Sequence, residues 1–243
     1  MPGIGSFLTA EWRFLAMLNW EVEASLLQPL VPAGTELDDW NGRLHASVVG
    51  FLFQRTRVLG MAVPFHADFE EVNLRFYVHR KTESGFRRGV VFVKELVPRR
   101  LVAMVARRVY HENYVAVPMK HEIGFRADGS PSRVVYSWTH AGAEGRLRLE
   151  ARPGLRSLEE GSLEQFLAEH YYGYVRQPGG ATLEYAVEHP PWQVWPADEA
   201  AFEADAGPIY GEGFAAVLGR PPDLAFLAAG SAIRIRSGRT IPT

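Results

Sequence analysis

Between Glu71 and His79 apolar and polar residues alternate without a break. Val72, Leu74, Phe76 and Val78 fall on one face of an extended chain, and Glu71, Asn73, Arg75, Tyr77 and His79 on the other, because side chains of a strand point to opposite sides in turn. On an outer wall the polar row is simply solvated. On an inner wall it is a row of buried charges, which must be paired or put to use. The pattern alone leaves both readings open, and the plainer one, solvated or mutually neutralised, is preferred. Gly89 to Lys94 behaves differently: Val90, Phe92 and Lys94 alternate with Val91 and Val93, which predicts a strand buried on both faces. Pro98 suits the first turn of a helix. Leu101, Met104 and Val105 then recur at helical spacing up to Arg108. Tyr110 to Tyr114 reads as a turn, and Val115 to Met119 as a return to extended chain.

Elsewhere the same reasoning gives mostly strands. Trp12 to Val22 opens the set, and a short helix from Glu23 to Val31 is stopped by Pro32. Asn41-Gly42 is a hairpin signal leading into Leu44–Phe53, apolar on both faces. Arg133–Thr139, Arg146–Glu150 and Ala181–His189 follow as strands, with Leu147 and Leu149 inward. Ser162 and Gln165 have capping-box spacing for a short helix through Glu169. A helix over Ile209–Leu218 and a weak strand over Leu224–Ala228 close the series. The class is mainly β (α+β), and 243 residues at 47% hydrophobic suit one domain over residues 1–243.

Charge and composition narrow the function classes. The net charge is −2 with both signs dispersed, so no basic stripe favours nucleic acid. Cysteine is absent, which removes disulfides and thiolate chemistry. No run approaches the ~18 apolar residues of a membrane span, and Phe7 to Trp20 is interrupted by Glu11, Arg13 and Asn19. A cytoplasmic protein without membrane contact is expected. The eight histidines make no H-E-x-x-H pair, and no metal or other cofactor is expected. Gly211-Glu212-Gly213 lacks the strand and acidic partner of a dinucleotide fingerprint and reads as a helix-start turn.

Lys94 is the residue with the most reactive potential, since burial disfavours an ammonium and frees the amine. Its neighbour Glu95 works the other way, and a strand-end lysine that snorkels or pairs is the preferred reading. Glu71 and Arg75 share a face and either hold a polar ligand or neutralise one another, with self-neutralisation preferred. Aromatics at Tyr110, Tyr114 and Trp192 complete the recipe for a ligand pocket.

The blocks FEEVNLRFYV, GVVFVKELVP, ARRVYHENYVAVPM, LEQFLAEHYYGY and EHPPWQVWPA resemble, in order, those of the YqjF-like family of uncharacterised bacterial proteins, from about Trp12 to Trp195. The resemblance implies an acetoacetate decarboxylase-like fold, a closed antiparallel β-barrel with flanking helices. It places Glu70 and Glu71 where the superfamily enzyme has a barrel-facing glutamate, and Arg107 at its arginine, where a guanidinium fork suits a carboxylate. It departs at Ala106-Arg107-Arg108, which stands in place of Gly-Arg-Glu, and no twin lysine occurs anywhere. Three readings follow. The first is a barrel binding a small carboxylate or carbonyl molecule through Glu71, Arg75, Arg107, Tyr110, Tyr114 and Trp192. The second is a lyase forming an imine on Lys94. The third is a homo-oligomeric interaction protein using the aromatics of Tyr171–Tyr174 and Trp192–Trp195 as contact surface.

Overall fold

The computed structural model describes residues 6–62, 67–99, 104 and 111–241. The strands are β1 (Ser6–Val22), β2 (Glu36–Leu37), β3 (Leu44–Val58), β4 (Met61–Ala62), β5 (Phe69–Thr82), β6 (Gly85–Val97), β7 (Tyr114–Ala116) and β8 (Met119–Phe125). They continue with β9 (Pro131–His140), β10 (Ala143–Ala151), β11 (Arg156–Ser157), β12 (Tyr172–Arg176), β13 (Thr182–Glu188), β14 (Gln193–Glu203), β15 (Leu224–Arg236) and β16 (Arg239–Ile241). Short helices occupy Ala24–Leu27, Leu163–Ala168, Gly207–Tyr210 and Glu212–Leu218. Among the described residues no helix is long and apolar enough to cross a membrane.

Hydrogen-bonded neighbours run β13–β12–β6–β5–β3–β1–β15, and β14, β10, β9 and β8 continue from β15 as an arm. Two pairs, Val187↔Ile235 and Glu188↔Arg234, also join β13 to β15. Most pairings are antiparallel, as expected. The ladders of β6 with β12 and with β7 are parallel instead. The expected wholly antiparallel sheet is corrected there, because β7 returns beside β6 in the same direction as a strand–crossover–strand unit must.

The arm lies on one face of the main sheet. Val72, Leu74, Phe76 and Val78 of β5 share a core with Val134, Tyr136 and Trp138 of β9, Leu147 and Leu149 of β10, and Ile209, Phe214 and Leu218 of the C-terminal helices. At Gly50 any Cβ would stand 2.5 Å from the Tyr136 ring, so the missing side chain makes room for the arm. The Tyr136 hydroxyl then donates to the Phe14 carbonyl at 2.8 Å.

Local chemistry explains the boundaries. Asn41 and Gly42 both take positive φ, 54° and 79°, and Trp40 and Arg43 exchange two backbone hydrogen bonds, the hairpin geometry that Asn-Gly favours. Ser162 Oγ accepts from Gln165 N–H at 3.1 Å, while Gln165 Oε1 reaches back to Gly161 N–H at 2.8 Å. The expected single helix over Ile209–Leu218 is two, broken at Gly211 with φ 86°. The segment read as a weak strand at Leu224–Ala228 is the 13-residue β15, because partners on β1 and β14 hold residues whose local pattern is poor. Of the helix expected over Leu101–Arg108, Met104 is described, as helical and exposed, and the other residues lie outside the described ones.

Candidate functional site

The polar row of β5 does not face water. Glu71, Asn73, Arg75 and Tyr77 are 2%, 2%, 8% and 1% exposed, and the apolar residues between them are fully buried as well. Both faces of β5 are covered, so the solvated reading is set aside. Register brings the row its neighbours: Phe51, Val49 and Ser47 of β3 stand opposite Glu71, Asn73 and Arg75. On the other side Glu95 and Phe92 of β6 oppose Asn73 and Arg75.

That second ladder contains an irregularity between Leu74 and Arg75, whose partners are Lys94 and Phe92. The extra residue reverses the alternation of β6. Val90 and Phe92 face the polar row, but Lys94 pairs with Leu74 on the opposite face and Glu95 takes the place expected for it. The expectation that Lys94 lies with Val90 and Phe92 is corrected by this bulge. Lys94 is half-buried.

The expected Glu71–Arg75 neutralisation is replaced by other partners. Glu71 accepts from Asn73 Nδ2 at 2.9 Å and from the Tyr114 hydroxyl at 3.1 Å. Arg75 Nη2 donates to the Leu167 carbonyl at 3.1 Å. Among the described residues no ion pair joins the two, since each already has a nearer partner. Glu112, in the loop before β7, accepts from the Tyr185 hydroxyl of β13 at 2.8 Å. Glu71, Glu95 and Glu112 therefore gather around Tyr114 without a lysine or arginine ion pair among the described residues.

Their protonation follows. Burial pushes Glu71 up to about 7, against the pull of Asn73, Tyr114 and Arg75. Burial, with the charge of Glu71 added, takes Glu112 to about 8 despite the Tyr185 hydrogen bond. Burial and the charges of Glu112 and Glu71 hold Glu95 well above the ordinary carboxyl range. Burial and mutual repulsion thus hold all three carboxyls toward their neutral forms. A cleft of about 260 Å³ between Phe92, Val93, Tyr174 and Val175 reaches Glu112. It lies where β6 and β12 part after only two residue pairs.

Trp192 is buried at 3%, donates from Nε1 to Ser231 Oγ at 3.0 Å, and stacks on His189 with ring centres 4.2 Å apart. Trp12 closes the group, 6.2 Å from Trp192 and 5.3 Å from Phe51. Burial drives His189 down to about 4, helped by the charge of Arg75. Trp195 and Tyr174 are also buried, at 8% and 1%. Of the aromatics expected to form a contact surface, Trp192, Trp195 and Tyr174 therefore pack the core, while Tyr171 and Tyr172 are half-buried. Glu71, Arg75 and Tyr114 are thus brought together with Trp192 in a neighbouring aromatic group, while Arg107 and Tyr110 lie outside the described residues.

Sequence reasoning missed Glu95, Glu112 and Tyr185. It also missed a second set, in which buried Asp38 accepts from the exposed Arg88 at 2.8 and 3.0 Å and lies 3.2 Å from Nε2 of buried His170. Only Glu95 left a trace in the pattern, as the residue that a one-place slip in β6 would turn inward.

This arrangement of strands is the acetoacetate decarboxylase-like fold. Acetoacetate decarboxylase from Legionella pneumophila superposes with a TM-score of 0.69 at 10% identity, covering 100% of this chain and 92% of that one. An acetoacetate decarboxylase-like enzyme from Sphingomonas wittichii gives 0.67 at 15% identity, covering 98% and 94%. The enduracididine biosynthesis enzyme MppR, complexed with pyruvate, gives 0.69 at 12% identity, covering 98% and 91%. The chain belongs to the DUF2071 family of uncharacterized conserved proteins, whose pattern matches residues 9–232. It is 29% identical over 184 residues to the uncharacterized protein YqjF of Bacillus subtilis, covering 74% of this chain and 72% of that protein.

Proposed function

We propose that the chain forms one domain, a closed β-barrel of β1, β3, β5, β6, β12, β13 and β15, which binds a small carboxylate- or carbonyl-bearing molecule on the buried face of β5. The observation that carries this reading is Arg75, a guanidinium 8% exposed whose Nε has no hydrogen-bond partner. A buried cation left with a free donor is costly unless something arrives to meet it, and a planar guanidinium is suited to a carboxylate. Tyr114 and Trp192 supply aromatic walls. MppR carries pyruvate in the same fold, which makes a small keto acid the first ligand to try. The position of Lys94 opposite Leu74, away from this face, weighs against an imine-forming lyase. The burial of Trp192 and Trp195 weighs against an interaction protein that uses them.

The test is thermal unfolding with pyruvate, acetoacetate and a panel of small keto and carboxylic acids. A bound ligand raises Tm by mass action, and Arg75→Met is expected to remove the rise. No rise with any member, or an undiminished rise in Arg75→Met, overturns the reading. Borohydride with pyruvate is expected to add no mass at Lys94; a stable adduct there would restore the lyase.

A further inference from the structure

Arg80 of β5 and Arg87 of β6 stand directly opposite one another in their antiparallel ladder, an arrangement of like charges that is destabilising unless something offsets it. The chain supplies Glu184 of β13, whose Oε2 accepts from Arg80 at 3.2 Å and whose Oε1 accepts from Arg87 at 2.6 Å. Arg239 of β16, the ladder partner of Glu184, also donates to Oε1, from Nη2 at 2.8 Å and Nε at 3.1 Å. The Tyr174 hydroxyl donates to Oε2 at 3.2 Å. The carboxylate thus has all the partners it can take, but the cations do not. Three guanidiniums meet one carboxylate, and among the described residues no other acid forms an ion pair with any of them. Two positive charges are left over.

Their outer side can be reached. Arg239 is exposed and Arg80 and Arg87 are half-buried, while Glu184 is sealed beneath them. Arg80 and Arg87 each place one Nη on Glu184, which leaves the Nε and the second Nη of both for water or a ligand. Beside Arg87 opens a pocket of about 570 Å³ whose walls include Trp40, Tyr171 and Tyr172, and the Arg87 guanidinium lies 5.3 Å from the centre of the Tyr172 ring. Glu169 is the acid of this pocket, and Arg88, held by Asp38 at 2.8 Å, is its other cation. A carboxylate would bring a single negative charge to the arginines. A phosphate monoester brings close to two at neutral pH, on three acceptor oxygens, and guanidinium forks match it in geometry.

We propose that Arg80, Arg87 and Arg239 bind the phosphate of a small phosphomonoester, whose organic group lies in the aromatic pocket beside Arg87. Arg80 is an odd number of residues from Arg75 along β5 and so belongs to the other face of the strand, which makes this a site apart from the one proposed above.

Calorimetric titration of the full chain at about pH 7.5, where a phosphate ester is a dianion, tests it. Phenyl phosphate is compared with phenyl sulfate, a monoanion of the same shape, with inorganic phosphate and with phenol. Phenyl phosphate is expected to bind tightest, by roughly tenfold or more over the sulfate, the size of one charge-assisted hydrogen bond. Arg239→Gln should remove most of that preference. Arg152→Gln, which deletes an equal charge from the exposed pair with Asp198 on the arm, should keep it. The wild-type comparison stands even if Arg239→Gln fails to fold. Phenyl phosphate that binds no tighter than phenyl sulfate or inorganic phosphate, an Arg239→Gln protein with the wild-type preference, or no binding by any of the four overturns the site.

Discussion

Glu184 on β13 and Glu71 on β5 are equally hidden from water, at 3% and 2% exposed. Around Glu184 three arginines converge: Arg80 at 3.2 Å, Arg87 at 2.6 Å and Arg239 at 2.8 Å, with the Tyr174 hydroxyl at 3.2 Å. Burial pushes this carboxyl up, but the hydrogen bonds from Arg239 and Arg80 and the charge of Arg87 outweigh it, and the net shift is downward. Around Glu71 stand an amide, a phenol and two further carboxyls, and the net shift is upward, to about 7. Counterions, not depth, decide which buried carboxylate stays charged. The first carboxyl has all its partners and ties β13 to β5, β6 and β16. The second lacks counterions, which is why it is the proposed place for a ligand.

Three experiments can break or sharpen this contrast. Glu184→Gln should have the largest effect, about 3 kcal/mol of lost stability, because it leaves three arginines facing one another without their anion. Urea denaturation measures it; a loss well under about 1 kcal/mol would mean that water already shares those charges. Next comes pH. Glu71 and Glu112 have folded values of about 7 and about 8 against an ordinary 4.5. The folded chain therefore holds protons that the unfolded chain releases. Stability from this source is full below about 4.5 and is lost as pH rises through 7 and 8. Glu112→Gln should flatten that decline between pH 5 and pH 8. Denaturation curves of both proteins at the two pH values decide it, and parallel profiles would remove Glu112 from the cluster. The smallest effect is expected from Tyr114→Phe, which deletes a donor to ionised Glu71. It should cost about 1 kcal/mol at pH 8 and less at pH 5. An equal cost at both would make Tyr114 a packing residue only.

Much of the fold was legible locally. The period-two run from Val72 to Val78, the Asn41-Gly42 turn and the Ser162 cap each dictate their element through interactions a few residues long. The limits were non-local. β15 is long because β1 and β14 pair with it, although its own residues argue weakly for a strand. The polar row of β5 is ambiguous by itself, because alternation fixes which residues share a face but not what covers that face. Of the candidate site, Glu71, Arg75 and Tyr114 were identified and do meet. Glu112 and Tyr185 could not be, since a loop and a strand more than seventy positions apart have no common pattern to read.

Side-chain alternation is a property of the covalent backbone, so the sequence by itself determined the extended run of β5, the Asn41-Gly42 turn and the grouping of Glu71, Asn73 and Arg75 on one face. Pairing register and one bulge belong to the assembled sheet. They alone decided that Lys94 turns away, that Glu95 stands opposite Asn73, and that three carboxyls share one buried space. A single inserted residue in β6 exchanges the two faces of the strand, and its energy depends on partners that lie elsewhere in the chain.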